Sequence, residues 1–518
     1  MDERRGPATD APDDPASRAG GKSNGRPPFR RRLRAALRTR LGVDLRALAA
    51  FRVALGVVLL LDLALRARNL GAFYTDAGAL PRSVLAEGYP VAARLSLHAL
   101  SGEAWAVAPL FLAAAVAAVA LAVGHRTRLA TAASLVLLAS LQARNPYVLN
   151  AGDTLLWQLL GAGLFCPLGA RWSVDAARRR ARSAGAEGAP REGGRGRFVG
   201  PVSALLLAVA VAVYVSNAVE KLRGTAWTGG EAVGQVFRLT HLHGPLGDAV
   251  PEAPALLAAA TYGWLALLVA SPLLVAAAGR LRAALAATLL AAHLSMALTL
   301  QIGVFPLVSA TALLPFFPPF VWDRVEGVTG PAGDRLRRFA AARLDDHARN
   351  GGSPDRGTRG RVVAAVAAIL LVSLLAWNAA ALGVVDPPEP AAAAAPTESD
   401  WNMFAPNPSS TETLVLATAT TADGDRTDAL YGDPVATDRP PSDARAYPTA
   451  RWRKALTLLA ADGDPSRVDA LLAHLCDRAA GFADDEVESV TVSSVEIDVT
   501  EDGETRVSEL GTRECRSG

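Results

Sequence analysis

The feature that most limits what this chain can become is a series of apolar blocks, each close to 20 residues long and almost free of charge. A helix of that length rises about 30 Å, the depth of a bilayer's hydrocarbon core. Soluble domains are seldom built from such uninterrupted runs, whereas here they account for much of a hydrophobic content of 51%. Blocks at roughly 47–65, 104–123, 129–142, 149–169, 199–219, 254–278, 282–300, 303–321 and 362–384 predict an all-α polytopic membrane bundle of about nine transmembrane helices. The third is short. Three cysteines rule out a disulfide-built scaffold, and no domain carries the basic surplus of a nucleic-acid binder.

Charge then orients the blocks. The net of +3 conceals a split: residues 385–518 hold 26 acidic and 11 basic side chains, and the other 384 residues hold 24 and 42. The tail is therefore −15 and the membrane part +18. With the N-terminus inside, the inner segments carry 28 arginines, and the outer loops before the tail carry seven arginines and one lysine. That alternation follows the positive-inside rule and predicts a multi-pass cell-membrane protein with a cytoplasmic N-terminus and an extracytoplasmic C-terminus. Scarce lysine and abundant aspartate give a halophile-like composition.

The same reading divides the chain. Residues 1–28, polar and without an apolar core, predict a disordered cytoplasmic tail with no signal peptide. Residues 29–322 form the transmembrane domain, opened by a basic amphipathic stretch, and 323–361 a basic cytoplasmic loop. The last span, 362–384, leads through a Pro/Ala linker, 385–397, to an acidic extracytoplasmic domain, 398–518. There Thr413–Ala419 alternates ahead of a turn at 422–425, 452–460 and 465–480 look helical, and Val487–Val499 alternates ahead of a turn at 501–503. This predicts a small α+β fold. Cys476 and Cys515 both fall in it, either as a disulfide or as two free thiols.

Ionisable groups inside spans are costly, which makes each a candidate for function. They are Arg52, Asp62, Asp153, Glu220, Lys221 and His293. Arg52 and Asp62 stand about 15 Å apart along one helix, too far to pair, and are expected to form structural ion pairs with other helices. Lys221 is the one lysine between residues 23 and 453, in a chain that otherwise writes arginine. Lysine differs from arginine in yielding a free amine when buried, a usable general base; snorkelling at the outer interface is the plainer role. His293, mid-span among small residues, either hydrogen-bonds a neighbouring helix or serves a site. His241 and His243 have no carboxylate or cysteine at ligand spacing, so no metal is expected. Nucleotide-binding loops, Cys-x-x-Cys and His-Glu-x-x-His are absent from the sequence, as is internal duplication of the transporter kind.

Several segments together carry a resemblance: Arg52-Val-Ala-Leu-Gly56, Phe73-Tyr-Thr-Asp-Ala-Gly-Ala-Leu-Pro81, Gly124-His-Arg-Thr-Arg128, Arg144-Asn-Pro-Tyr-Val-Leu-Asn-Ala-Gly-Asp153, Lys221-Leu-Arg-Gly-Thr-Ala-Trp227 and Trp401-Asn-Met-Phe-Ala-Pro406. In order and spacing the chain resembles the HTTM (horizontally transferred transmembrane) domain family, microbial relatives of vitamin K-dependent γ-glutamyl carboxylase, over residues 45–322 and on to about 410. The resemblance implies a reduced naphthoquinone (vitamin K or menaquinol) as cofactor, with O2 and CO2 as co-substrates. It implies that Lys221 is the base that deprotonates the quinol and that His293 stands near the reacting groups. Asn150, Asp153, Trp227 and Phe305 lie in or beside matching segments and become candidates for lining the substrate cavity. Two departures, no histidine beside Asn145 and a tail of about 120 residues in place of a large lumenal domain, point to an acceptor other than that of the vertebrate enzyme.

Two function classes follow. One is a quinol-dependent carboxylase-like membrane enzyme. The other is a non-enzymatic quinone- or lipid-binding membrane scaffold acting through its exported domain on a partner the sequence does not identify. Both have the lipid bilayer as their setting, and neither involves nucleic acid.

Overall fold

The computed structural model describes residues 29–184, 196–328, 356–382, 403–432, 449–481, 485–499 and 505–515, with 435 and 483. The expected tail 1–28, the linker 385–397, residues 329–355 of the basic loop, Trp401, Asn402 and the turn at 501–503 lie outside the described residues.

Helices dominate. In chain order they include α1 (Leu45–Ala67), α2 (Ala104–Val123), α3 (Thr127–Arg144), α4 (Ala151–Phe165), α5 (Pro201–Leu222), α6 (Pro254–Ala270), α7 (Gly279–Thr299), α8 (Phe305–Leu313), α9 (Pro319–Val328) and α10 (Arg356–Ala381). Helix starts and stops follow local chemistry. Asp44 caps α1 by accepting from the Arg46 N–H at 2.8 Å. α2 stops at Gly124, whose φ of +71° suits glycine. That glycine is also required for space, because a Cβ there would lie 2.6 Å from the Arg52 guanidinium.

Each of the nine apolar blocks contains a helix, but among the described residues five helices are long and apolar enough to cross a membrane: α1, α2, α5, α7 and the 360–380 part of α10. The α8–α9 pair, bent by 106°, makes a sixth if taken as one span. Counting apolar letters overran the true helix lengths. Block 254–278 breaks at Ser271-Pro272, and block 303–321 bends at Phe317-Pro318, since proline cannot continue the ladder. Block 149–169 spends its ends on the Asn150 cap and the turn after Phe165.

The C-terminal region is a four-stranded antiparallel sheet of β1 (Thr411–Thr421), β2 (Arg426–Asp428), β3 (Val487–Asp498) and β4 (Thr505–Glu514), in the order β2-β1-β3-β4. Two helices, α11 (Ala450–Asp462) and α12 (Pro465–Ala479), supply Trp452, Leu456, Leu471 and Leu475 to a core shared with Leu414, Ala417, Val490 and Val492. Cys476 and Cys515 are joined as a disulfide, tying α12 to the end of β4.

Contacts between segments gather at two ends. At one, Arg46 meets Asp323 at 2.8 Å and Glu326 at 3.0 Å, and Arg282 donates to the Arg40 carbonyl at 2.9 Å. At the other, the C-terminal domain sits on the 66–103, 142–149 and 218–253 loops. Trp452 Nε1 donates to Asn69 at 3.2 Å, and Glu412 accepts from Thr240 Oγ1 and the His241 N–H at 3.1 and 2.8 Å. The apolar core runs on through this junction, because Phe73, Tyr74, Phe111 and Val148 pack in one cluster with Trp452 and Leu456.

Candidate functional site

Lys221 stands in the last turn of α5 and is 2% exposed. Its Nζ donates to the Met403 carbonyl at 2.5 Å and to Asn217 Oδ1 at 3.3 Å, and it lies 4.6 Å from the centre of the Trp227 ring. Trp227 is held in turn by its Nε1 donating to the Phe404 carbonyl at 2.7 Å, and Asn407 Oδ1 accepts from the Ala226 N–H at 2.8 Å. Residues 403–407 thus form a strap across the end of α5. The strap explains the glycine of Lys-Leu-Arg-Gly-Thr-Ala-Trp, since any side chain at Gly224 would overlap the Pro406 carbonyl. Glu220 points away and pairs with Arg223 at 2.7 Å. Among the described residues no carboxylate comes within ion-pair distance of Lys221.

His293, on α7, is 1% exposed. One ring nitrogen, Nε2, shares a hydrogen bond of 3.0 Å with the Tyr214 hydroxyl; the other, Nδ1, is buried with no partner. Tyr214 precedes Lys221 on α5 by seven residues, two helical turns, so the two share a face about 10 Å apart. Rings from four helices converge here: Trp264 of α6 and Phe305 of α8 lie 5.6 and 6.0 Å from the His293 ring, and Tyr214 lies at 5.8 Å.

The two groups share apolar neighbours. Phe404 of the strap packs against two small buried clusters, that of Ala226, Trp227 and Ala232, which Trp264 also joins, and that of Val236, Leu239, Leu242, Leu300 and Ile302, which Met296 and Phe305 also join. Among the described residues Lys221 has no anionic partner and His293 Nδ1 no hydrogen bond, and Trp264 connects their surroundings, lying 5.6 Å from the His293 ring and packing on the cluster that holds Trp227. Of the six residues proposed from sequence for catalysis or cavity lining, Lys221, His293, Trp227 and Phe305 meet here. Tyr214, Trp264 and Phe404 were not anticipated. Tyr214 and Trp264 are ordinary aromatics in the sequence, Phe404 stands in the Trp401–Pro406 segment with no site role attached, and only packing brings the three to this site.

Asn150 and Asp153 are spent elsewhere. Asn150 caps α4, and the two make a reciprocal capping box with the Asp153 carboxylate on the Asn150 N–H at 2.9 Å. Asp153 also belongs to a buried charge cluster. Arg66 Nε donates to Asp62 at 2.7 Å, Arg66 Nη2 to Asp153, and Arg66 Nη1 to the Tyr74 hydroxyl at 2.9 Å. Arg451, from α11, donates to Asp62 at 2.6 Å, to Asp153 at 3.4 Å and to the Val148 carbonyl at 3.0 Å.

The expected ion pair to another helix is met for Asp62 and corrected for Arg52. Asp62 finds its partners in Arg66, one turn along its own helix, and in Arg451. Among the described residues Arg52 meets no carboxylate at ion-pair distance: its guanidinium donates to the carbonyls of Leu168, Arg171 and Trp172 at 3.2, 3.1 and 2.6 Å, fixing the turn after α4. Arg66 was legible from its i,i+4 spacing to Asp62. Nothing local marks Arg451, 389 residues away from Asp62.

At the opposite end a cavity of about 600 Å³ is lined by Arg126, Thr127, Arg128, Cys166, Asp175 and Arg179, among others. It lies apart from Lys221 and His293. His241 Nδ1 reaches Glu412 at 2.8 Å, and His243 reaches Asp248 at 2.6 Å. Among the described residues no group of three or more His, Cys, Asp or Glu is placed to hold a metal ion. Comparison with family models, curated proteins and solved structures finds no match to this chain.

Proposed function

We propose that this chain is a membrane-embedded enzyme of the quinol-dependent carboxylase type, with Lys221 as base and His293 as the group that orients the ligand. The observation that carries the reading is the company of Lys221: a buried amine whose partners are a carbonyl, an amide oxygen and an indole face. A buried ammonium without a counter-ion is unfavourable, and an acidic ring hydroxyl supplies what the site lacks. A reduced naphthoquinone, when bound, supplies that hydroxyl and the reducing equivalents for reaction with oxygen.

The residues fit such a group. The orphaned Nδ1 of His293 offers one hydrogen bond, the Lys221 amine takes a proton at the far end, and Trp227, Trp264 and Phe305 provide flat apolar walls. Because Lys221 and His293 are both enclosed, the strap must lift or side chains must part before a ligand enters.

The reading carries a topology of nine crossings with the C-terminal domain outside. Its support is the agreement between arginine counts and contacts. The loops counted as outer are those the C-terminal domain touches, and the Arg-rich segments counted as inner meet one another at the far end. The disulfide between Cys476 and Cys515 suits an oxidising compartment.

Purified protein in lipid nanodiscs, given menaquinol or reduced vitamin K, is expected to form quinone epoxide, with Lys221→Ala at least 100-fold slower. Equal background from wild type and variant would remove the enzyme reading. Quinol binding that persists in both would then leave the scaffold reading in its place.

A further inference from the structure

We propose that Arg451 is a guanidinium plug seated in an anionic socket of the helical bundle, and that this seating holds the 403–407 strap over Lys221. The socket is built before the plug is counted. Asp62 and Arg66 of α1 and Asp153 of α4 are each no more than 1% exposed. They carry two negative charges and one positive, and Arg66 spans both carboxylates. One positive charge is missing. Arg451 supplies it: Nη2 donates to Asp62 at 2.6 Å and to Asp153 at 3.4 Å, while Nη1 donates to the Val148 carbonyl at 3.0 Å and to the other Asp153 oxygen at 3.5 Å. Planar, multi-donor geometry suits guanidinium and not an ammonium, which offers a single point of charge. Trp452, the next residue, wedges beside Phe73 with ring centres 4.7 Å apart.

The route from plug to strap is short. Arg451 and Trp452 open α11, and Trp452 and Leu456 share a core with Leu414 and Ala417 of β1. β1 begins four residues after the strap ends, and its Glu412 is pinned by Thr240 and His241. Arg451 is therefore a positioning residue for the Lys221 site: it touches no part of that site and fixes the domain whose leading edge covers it. The inference stands apart from the proposed chemistry, because it concerns the seating of the domain whatever Lys221 does.

The test uses full-length protein in nanodiscs and a membrane-impermeant amine-reactive ester, with labelling of Lys221 read by peptide mass spectrometry and Lys454 on α11 as internal control. Wild type is expected to protect Lys221. Arg451→Ala is expected to raise its labelling about tenfold with Lys454 unchanged, and Arg451→Lys to give an intermediate rise. Arg451→Ala combined with Asp62→Asn restores charge balance and is expected to recover most of the protection. Unchanged Lys221 labelling in Arg451→Lys and Arg451→Ala overturns the link to the strap. A double variant no better than Arg451→Ala overturns the charge-balance account. If Arg451→Ala does not fold, a folded double variant supports the proposal and an unfolded one refutes it.

Discussion

Arg66 and Lys221 are both basic side chains and keep opposite company. Arg66 is ringed by carboxylates and a tyrosine hydroxyl, and Lys221 by neutral acceptors. One reads as architecture and the other as chemistry, though both are buried bases near a helix end. A third buried base, His98, lies in the 66–103 loop with Nδ1 against Ser140 Oγ at 2.7 Å. Burial, with Arg66 and Arg144 nearby, pushes its imidazole down to about 4. The folded form therefore excludes a proton that the unfolded chain accepts below about 6.5. His98 contributes stability that is present above pH 6.5 and lost as the pH falls toward 4, on the order of 3 kcal/mol. Denaturation at pH 7.5, 5.5 and 4.5 is expected to show a shallower acid decline in His98→Asn than in wild type; equal declines would sink the assignment. At this scale the sequence exposed Lys221 and His293 because their residue types are rare in their surroundings. It hid Arg451, whose significance rests on a contact across most of the chain.

At the scale of elements, most boundaries were legible where a capping or breaking residue stands. Asp44, Gly124 and Asn150 mark helix ends, and the alternation in β1 and β3 was plain before any strand pairing was known. Length was less legible. An apolar block reads the same whether it is one straight helix or two pieces bent by 106°, and Pro272 and Pro318 decide the matter by removing a backbone donor. The disulfide is the element-scale feature with the clearest energetic consequence. It closes a loop of 39 residues between α12 and the end of β4. Replacing Cys476 and Cys515 with serine is expected to cost about 2–4 kcal/mol and to lower the unfolding temperature of the C-terminal domain. Wild type treated with reductant should then match the variant.

For the whole molecule, two ends emerge from contacts alone, and their assignment to cytoplasm and exterior rests on arginine. Single cysteines separate them. Glu87→Cys and Asp423→Cys are expected to react with an impermeant maleimide on intact cells, and Arg182→Cys only after permeabilisation; the reverse pattern overturns the orientation. Buried Cys166 gives a low background. Chain order gives the charge cluster a further consequence. Synthesis from the N-terminus completes Asp62 and Asp153, respectively, 389 and 298 residues before Arg451. During that interval one carboxylate of the cluster is unmatched, and α11, far along the chain, completes the charge balance of α1. A chain interrupted before α11 would carry that unmet charge permanently, which marks it for quality control by its own electrostatics.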